Sequence, residues 1–195
     1  ADVCVIGSGA GGAVVAKELA ELGRDVVVLE EGPYATPDDY TGNALETTLA
    51  LFKYYGGTAT IGVPGIALPY GSAVGGTTVI NSGTCFRTPA DVLEKWRDVE
   101  GLASLTEAAI EPHYARVEKT LGIGPVDESL FGRNTTLFRD GARALGLHGR
   151  PLNRSAKNCL GTGLCQWGCP TGAKQSMLVS YLPLASLSAT MSGLI

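Results

Sequence analysis

Residues 2–30 read DVCVIGSGAGGAVVAKELAELGRDVVVLE, and the order of patterns within them decides the fold. Val3, Cys4, Val5 and Ile6 form an unbroken apolar run, which predicts a short central strand of a parallel sheet covered on both faces. From Gly11 to Leu22 the apolar residues Val14, Val15, Ala16, Leu19 and Leu22 fall on one helical stripe, and Gly23 stands where a helix C-cap belongs. Asp25–Glu30 is a second buried strand. Strand, helix and strand in so few residues make a βαβ unit, whose crossover is right-handed in nearly all proteins. Between the first strand and the helix, GSGAGG satisfies G-x-G-x-x-G with Gly7, Gly9 and Gly12. That motif is weak alone, but here it follows a strand, opens a helix and precedes an acid, Glu30, by about twenty residues. Gly7 supplies the tight turn, Gly9 admits a pyrophosphate close to the backbone, and Gly12 lets helix and strand approach. The helix N-terminus offers free N–H groups and a positive dipole end to a diphosphate. Glu30 is expected to accept from ribose hydroxyls, and its charge disfavours a 2′-phosphate. A glycine-rich turn that binds no nucleotide is the plain alternative, which this context opposes. The fingerprint does not separate NAD from FAD.

Composition bounds the rest. The chain has 195 residues, 45% hydrophobic and 17% charged, enough apolar material for a core. A net charge of −4 gives no basic face for a nucleic-acid backbone. There is no apolar run of about 18 residues to suggest a transmembrane helix. The 27 glycines are about twice the usual share and cluster in short motifs, as a backbone that approaches a ligand at several places requires. The chain starts one residue before a strand pattern and without methionine, so both ends read as cut and the compartment is left open. Beyond Glu30 we expect a loop around Pro33–Asp39, a helix over Leu45–Tyr55, and β-like stretches at Thr58–Val63 and Ile66–Tyr70 joined by Pro64-Gly65. Further helices are expected at Pro89–Asp98 (Thr88 as N-cap), Thr106–Leu121 (kinked or restarted at Pro112) and Asn134–Leu145.

Two further segments carry a resemblance. Residues 71–89 read GSAVGGTTVINSGTCFRTP, and residues 158–185 read NCLGTGLCQWGCPTGAKQSMLVSYLPLA. The first resembles the flavin-contacting signature of the glucose–methanol–choline (GMC) oxidoreductases, with Gly75, Gly76, Thr77, Thr78 and Asn81 at matching positions. The second resembles the family's return to the cofactor domain, through Gly172, Lys174, Ser176, Tyr181, Leu182 and Ala185. Ser72 and Cys85 depart from the common pattern, and the combination is most similar to the long-chain alcohol oxidase branch. The resemblance implies FAD as cofactor, with the N-terminal part of a Rossmann-like α/β domain holding it through Gly7, Gly9, Gly12, Glu30, Gly75, Gly76, Thr77 and Asn81. It implies an alcohol substrate, hydride transfer to flavin N5, and oxygen or an external electron acceptor. It also implies a catalytic histidine in a C-terminal segment that this chain does not reach, so no catalytic residue is assigned here. A fragment of a longer protein is expected, with residues 1–88 as the cofactor unit, 89–152 as a mainly helical substrate-side segment, and 153–195 returning to the FAD domain. A truncated nucleotide-binding module without turnover is the alternative of a different class.

Cys159, Cys165 and Cys169, the last followed by proline, lie within eleven residues. Zinc would want four ligands in paired short spacings. A disulfide with one free thiol needs an oxidising compartment. Three thiolates among glycines also suit an iron–sulfur cluster, and the segment is similar to the large subunit of FAD-dependent glucose dehydrogenases, which implies a possible 3Fe–4S cluster relaying electrons. Cys4 is expected to be inert core and Cys85 a small packing residue near the flavin. His113 and His148, the two histidines, are expected to be solvated or capping, and Ser186–Ile195 shows no clear strand.

Overall fold

A computed structural model describes residues 1–187 and 191–194, the latter as backbone strand. The chain divides into two compact units: residues 1–83 with 157–195, and residues 84–156.

In the first unit, strand β1 (Val3–Ile6) leads into helix α1 (Ala10–Glu21) and back to strand β2 (Val26–Leu29). β1 and β2 pair in parallel from Val3↔Val26 to Ile6↔Leu29. Strand β5 (Met191–Leu194) pairs in parallel with the other edge of β2, giving the order β1-β2-β5. No strand was expected here: Met-Ser-Gly-Leu carries no β-branched residue, and it is the open edge of β2 that recruits it. Gly23 closes α1 at φ +78° and donates to Ala20 O at 3.0 Å, as a C′ glycine does.

The core lies between the sheet and α1. Val5, Val26 and Val28 meet Ala16 and Ala20, with Val3 and Leu19 at the margin. Val26 and Val28 are fully buried, each contributing about 1.5–3 kcal/mol relative to exposure. The alanines of α1 also allow close packing against helix α6 (Tyr181–Leu187), whose Tyr181, Leu182 and Ala185 are buried. The expectation of strands covered on both faces is corrected. Burial alternates along them, and Cys4, Ile6 and Leu29 are exposed on the face away from α1. Among the described residues nothing buries Cys4, which is exposed instead of packed in a core. An unbroken apolar run fixes strand propensity but not how many faces the described residues cover.

Helix α2 (Ala44–Leu51) is capped by Asn43, whose side chain accepts from the N–H groups of Leu45 and Glu46. It is shorter than expected because Phe52 turns to extended backbone and ends it, and Tyr54 and Tyr55 beyond take positive φ. Residues 58–68 form no ladder, only an irregular hairpin held by Thr60 N–H to Ile66 O and Leu68 N–H to Thr58 O.

The second unit contains helices α3 (Ala90–Asp98), α4 (Glu107–Leu121) and α5 (Arg133–Ala144). It also contains an antiparallel strand pair that the sequence did not announce, β3 (Ile123–Pro125) with β4 (Asn153–Ser155). Pro89 is the N-cap of α3, while the Thr88 hydroxyl instead accepts from Tyr114 OH at 2.8 Å. Thr106 caps α4 through Ala109 N–H, and α4 runs on through Pro112 as one helix.

Candidate cofactor-binding site

Helix α1 starts from Gly9 with no side-chain cap and no acid in its first turn. Its first amides are left to an outside acceptor, reinforced by the helix dipole. Gly7 turns at φ +89°, and its N–H donates to Leu29 O at 2.7 Å, tying the turn to the end of β2. A Cβ on Gly12 would stand 1.9 Å from Gly7 O, so only glycine allows the helix to begin there.

A residue that the sequence reading passed over, Ser8, organises the corner. It is fully buried. Its N–H and its hydroxyl both donate to Glu30 Oε2, at 2.8 and 2.7 Å, and its Oγ accepts from Gly75 N–H at 2.9 Å. Gly32 N–H donates to Glu30 Oε1 at 2.9 Å. Partial burial pushes the Glu30 carboxyl up. The Ser8 hydroxyl and the N–H groups of Ser8, Gly32 and Glu31 outweigh this, holding it below the ordinary glutamate value and therefore ionised at neutral pH. Ser8 was hidden because it fills a variable position of the motif.

The second glycine segment docks onto the first. Gly75 and Gly76 have φ of +95° and +57°, and a Cβ on Gly76 would approach Gly9 Cα to 2.8 Å. A 3-10 turn, Gly76–Val79, follows. Thr78 Oγ1 donates to Gly75 O at 2.5 Å and accepts from Met177 N–H at 2.9 Å, joining this turn to the segment before α6. Gly7, Gly9, Gly12, Glu30, Gly75 and Gly76 are thus brought together around one backbone corner. Thr77, exposed, accepts from Gly71 N–H at 3.0 Å, and Asn81, also exposed, accepts from Gly83 N–H at 3.1 Å.

Lys174 is the other residue whose role the sequence reading missed. It is buried, and Nζ donates to the carbonyls of Val79, Asn81 and Cys165 at 2.6, 2.8 and 2.5 Å. One ammonium therefore fixes the main chain on both sides of Ile80 and ties it to the cysteine loop.

The cysteines of this loop are graded by depth: Cys159 exposed, Cys165 half-buried, Cys169 buried. Burial pushes the Cys169 thiol up. The Thr171 hydroxyl and the amides of Lys174, Thr171 and Ala173 more than offset this and bring it below the ordinary thiol value. Among the described residues no group of three or more His, Cys, Asp or Glu side chains is placed to hold a metal ion. The three thiols in this arrangement do not fit a three-iron cluster. The glycine corner does fit a dinucleotide: the first amides of α1 have no side-chain cap, and a Cβ built on Gly7 or Gly11 would meet no atom within 4 Å, so the space beside the turn is open to a ligand. His113 and His148 are exposed in the second unit.

The family model for GMC oxidoreductases matches residues 8–191. A GMC-type oxidoreductase of Mycobacterium tuberculosis is 42% identical over 186 residues, 95% of this chain and 30% of the relative. One of Sinorhizobium fredii is 40% identical over 183 residues, 94% of this chain and 36% of the relative. A long-chain-alcohol oxidase of Arabidopsis thaliana is 37% identical over 182 residues, 93% of this chain and 24% of the relative. The site and the match together define the N-terminal, FAD-binding region of a flavoprotein oxidoreductase. The chain belongs to the GMC oxidoreductase family. It spans about a third or less of the length of the curated relatives it matches.

Proposed function

We propose that this chain is the FAD-binding part, Rossmann-like in plan, of an oxidoreductase that oxidises an alcohol, a long-chain one by analogy with the Arabidopsis relative. One observation supports this above the others: the Ser8 hydroxyl joins Glu30 to Gly75 directly beside the uncapped start of α1. In this reading the amides opening α1 bind the diphosphate, and Glu30 keeps acceptor capacity for the ribose while Ser8 and Gly32 orient it. Gly75 and Gly76 hold the second segment against the turn, and Thr77 and Asn81 present polar groups to the rest of the cofactor. When bound, FAD would supply the hydride acceptor for the alcohol carbon and the redox centre that oxygen or an external acceptor would reoxidise. Among the described residues the three thiols form no group placed to hold a metal ion, so this reading includes no iron–sulfur relay.

The test is reconstitution with FAD, followed by flavin absorbance and fluorescence. The chain should retain flavin after desalting, and Gly12→Val should abolish retention. Protein that stays colourless while keeping its native circular dichroism would end the reading. Alcohol-dependent dye reduction by the full-length protein tests the oxidation itself.

A further inference from the structure

Remote from the glycine corner in sequence, the second unit holds a cavity of about 480 Å³ between α5, the turn at Glu128–Leu130 and the loop 147–152. This is a size typical of small-molecule sites. Leu130, Phe131, Phe138 and Leu152 give it apolar walls, with Phe138 80% and Leu152 49% exposed. Large apolar side chains left open around a cavity indicate an apolar occupant.

The cations sort themselves. Residues 133–154 carry five arginines against a single acid, Asp140, in a chain whose net charge is −4. Arg139 is engaged, pairing with Glu128 and Asp140. Arg143 and Arg150 also line the cavity and make no ion pair among the described residues. The one wall carboxylate, Glu128, is already held by Arg139. Two uncommitted guanidinium forks beside an apolar cavity match a planar anionic head on an apolar tail, since the fork pairs bidentately with carboxylate.

We infer that this cavity binds an anionic amphiphile, a medium- or long-chain carboxylate, with its tail among Phe131, Phe138 and Leu152 and its head at Arg143 and Arg150. The inference does not depend on FAD binding or on alcohol oxidation.

Calorimetric titration of the chain at low ionic strength, with decanoate and decanol each below its micelle or solubility limit, tests it. Decanoate should bind at least tenfold more tightly than decanol. Arg143→Gln with Arg150→Gln should remove that preference and leave decanol binding unchanged. Arg133→Gln, on the same helix but outside the lining, should change neither, and Phe138→Ser should weaken both ligands. Equal affinity for the two ligands, or a carboxylate preference that survives the double substitution, would overturn the proposal. Phosphatidylcholine vesicles with and without phosphatidylglycerol separate the sources. Sedimentation with anionic vesicles in the absence of decanoate binding would mean a lipid surface, and would refute the cavity assignment.

Discussion

Replacing Ser8 with alanine tests the corner at its centre. Ser8 Oγ is fully buried, accepts from Gly75 N–H at 2.9 Å and donates to Glu30 Oε2 at 2.7 Å. Without it, the buried Gly75 amide loses its acceptor at about 1–3 kcal/mol, and the carboxylate loses a charge-assisted bond of about 1.5–3 kcal/mol. Water reaches half-buried Glu30 and restores part of the second loss, so about 2–4 kcal/mol is expected in total. For a chain of this length that is a drop of roughly 5–15 °C in the unfolding midpoint. The cost should also depend on pH. Glu30 has a depressed folded pKa, so its contribution is present above the unfolded value, about 4.3, and is lost as pH falls through the folded value. The gap between wild type and Ser8→Ala should therefore be widest at neutral pH and narrow below about pH 4. Thermal unfolding followed by far-UV circular dichroism across that range measures both. A midpoint change within about 2 °C at pH 7, or a gap that widens in acid, would refute the reasoning.

Three further substitutions or treatments have defined outcomes. Gly76→Ala drives a Cβ to 2.8 Å from Gly9 Cα at φ +57°, and should cost about 1–3 kcal/mol by denaturant titration and weaken FAD retention. Lys174→Met strips three carbonyls of their donor and should destabilise the first unit by at least about 2 kcal/mol, seen as faster hydrogen exchange at 79–81 and 165. Timed alkylation with mass spectrometry should label Cys4 and Cys159 first and Cys169 last, because burial outweighs its lowered pKa in setting the rate; early labelling of Cys169 would contradict the packing of its loop.

The βαβ unit was legible because its signals are local. The G-x-G-x-x-G turn, the acid closing β2 and Gly23 at the C-cap each act within a few residues. What stayed hidden depends on distant partners. Ser8 gains its role only when Gly75 comes within hydrogen-bond reach, and Lys174 only when Val79, Asn81 and Cys165 converge on it. β5 escaped notice because its residues have little strand propensity of their own and pair on an edge supplied by β2. Pro112 misled in the other direction, since α4 tolerates it in the second turn. The exposure of Cys4 shows the same limit: four apolar residues in a row do not say which side another element covers.

The first unit is discontinuous, its two parts flanking residues 84–156. On a ribosome adding about 5–20 residues per second, the intervening seventy-odd residues take roughly 4–15 s to emerge. For that interval the nascent N-terminal half carries its glycine corner without the ammonium of Lys174 and without the helix that packs on α1. The segment between, whose strands pair within itself, has time to fold before the tail arrives. Mutations that slow the middle unit would thus delay assembly of a corner built from the flanking parts.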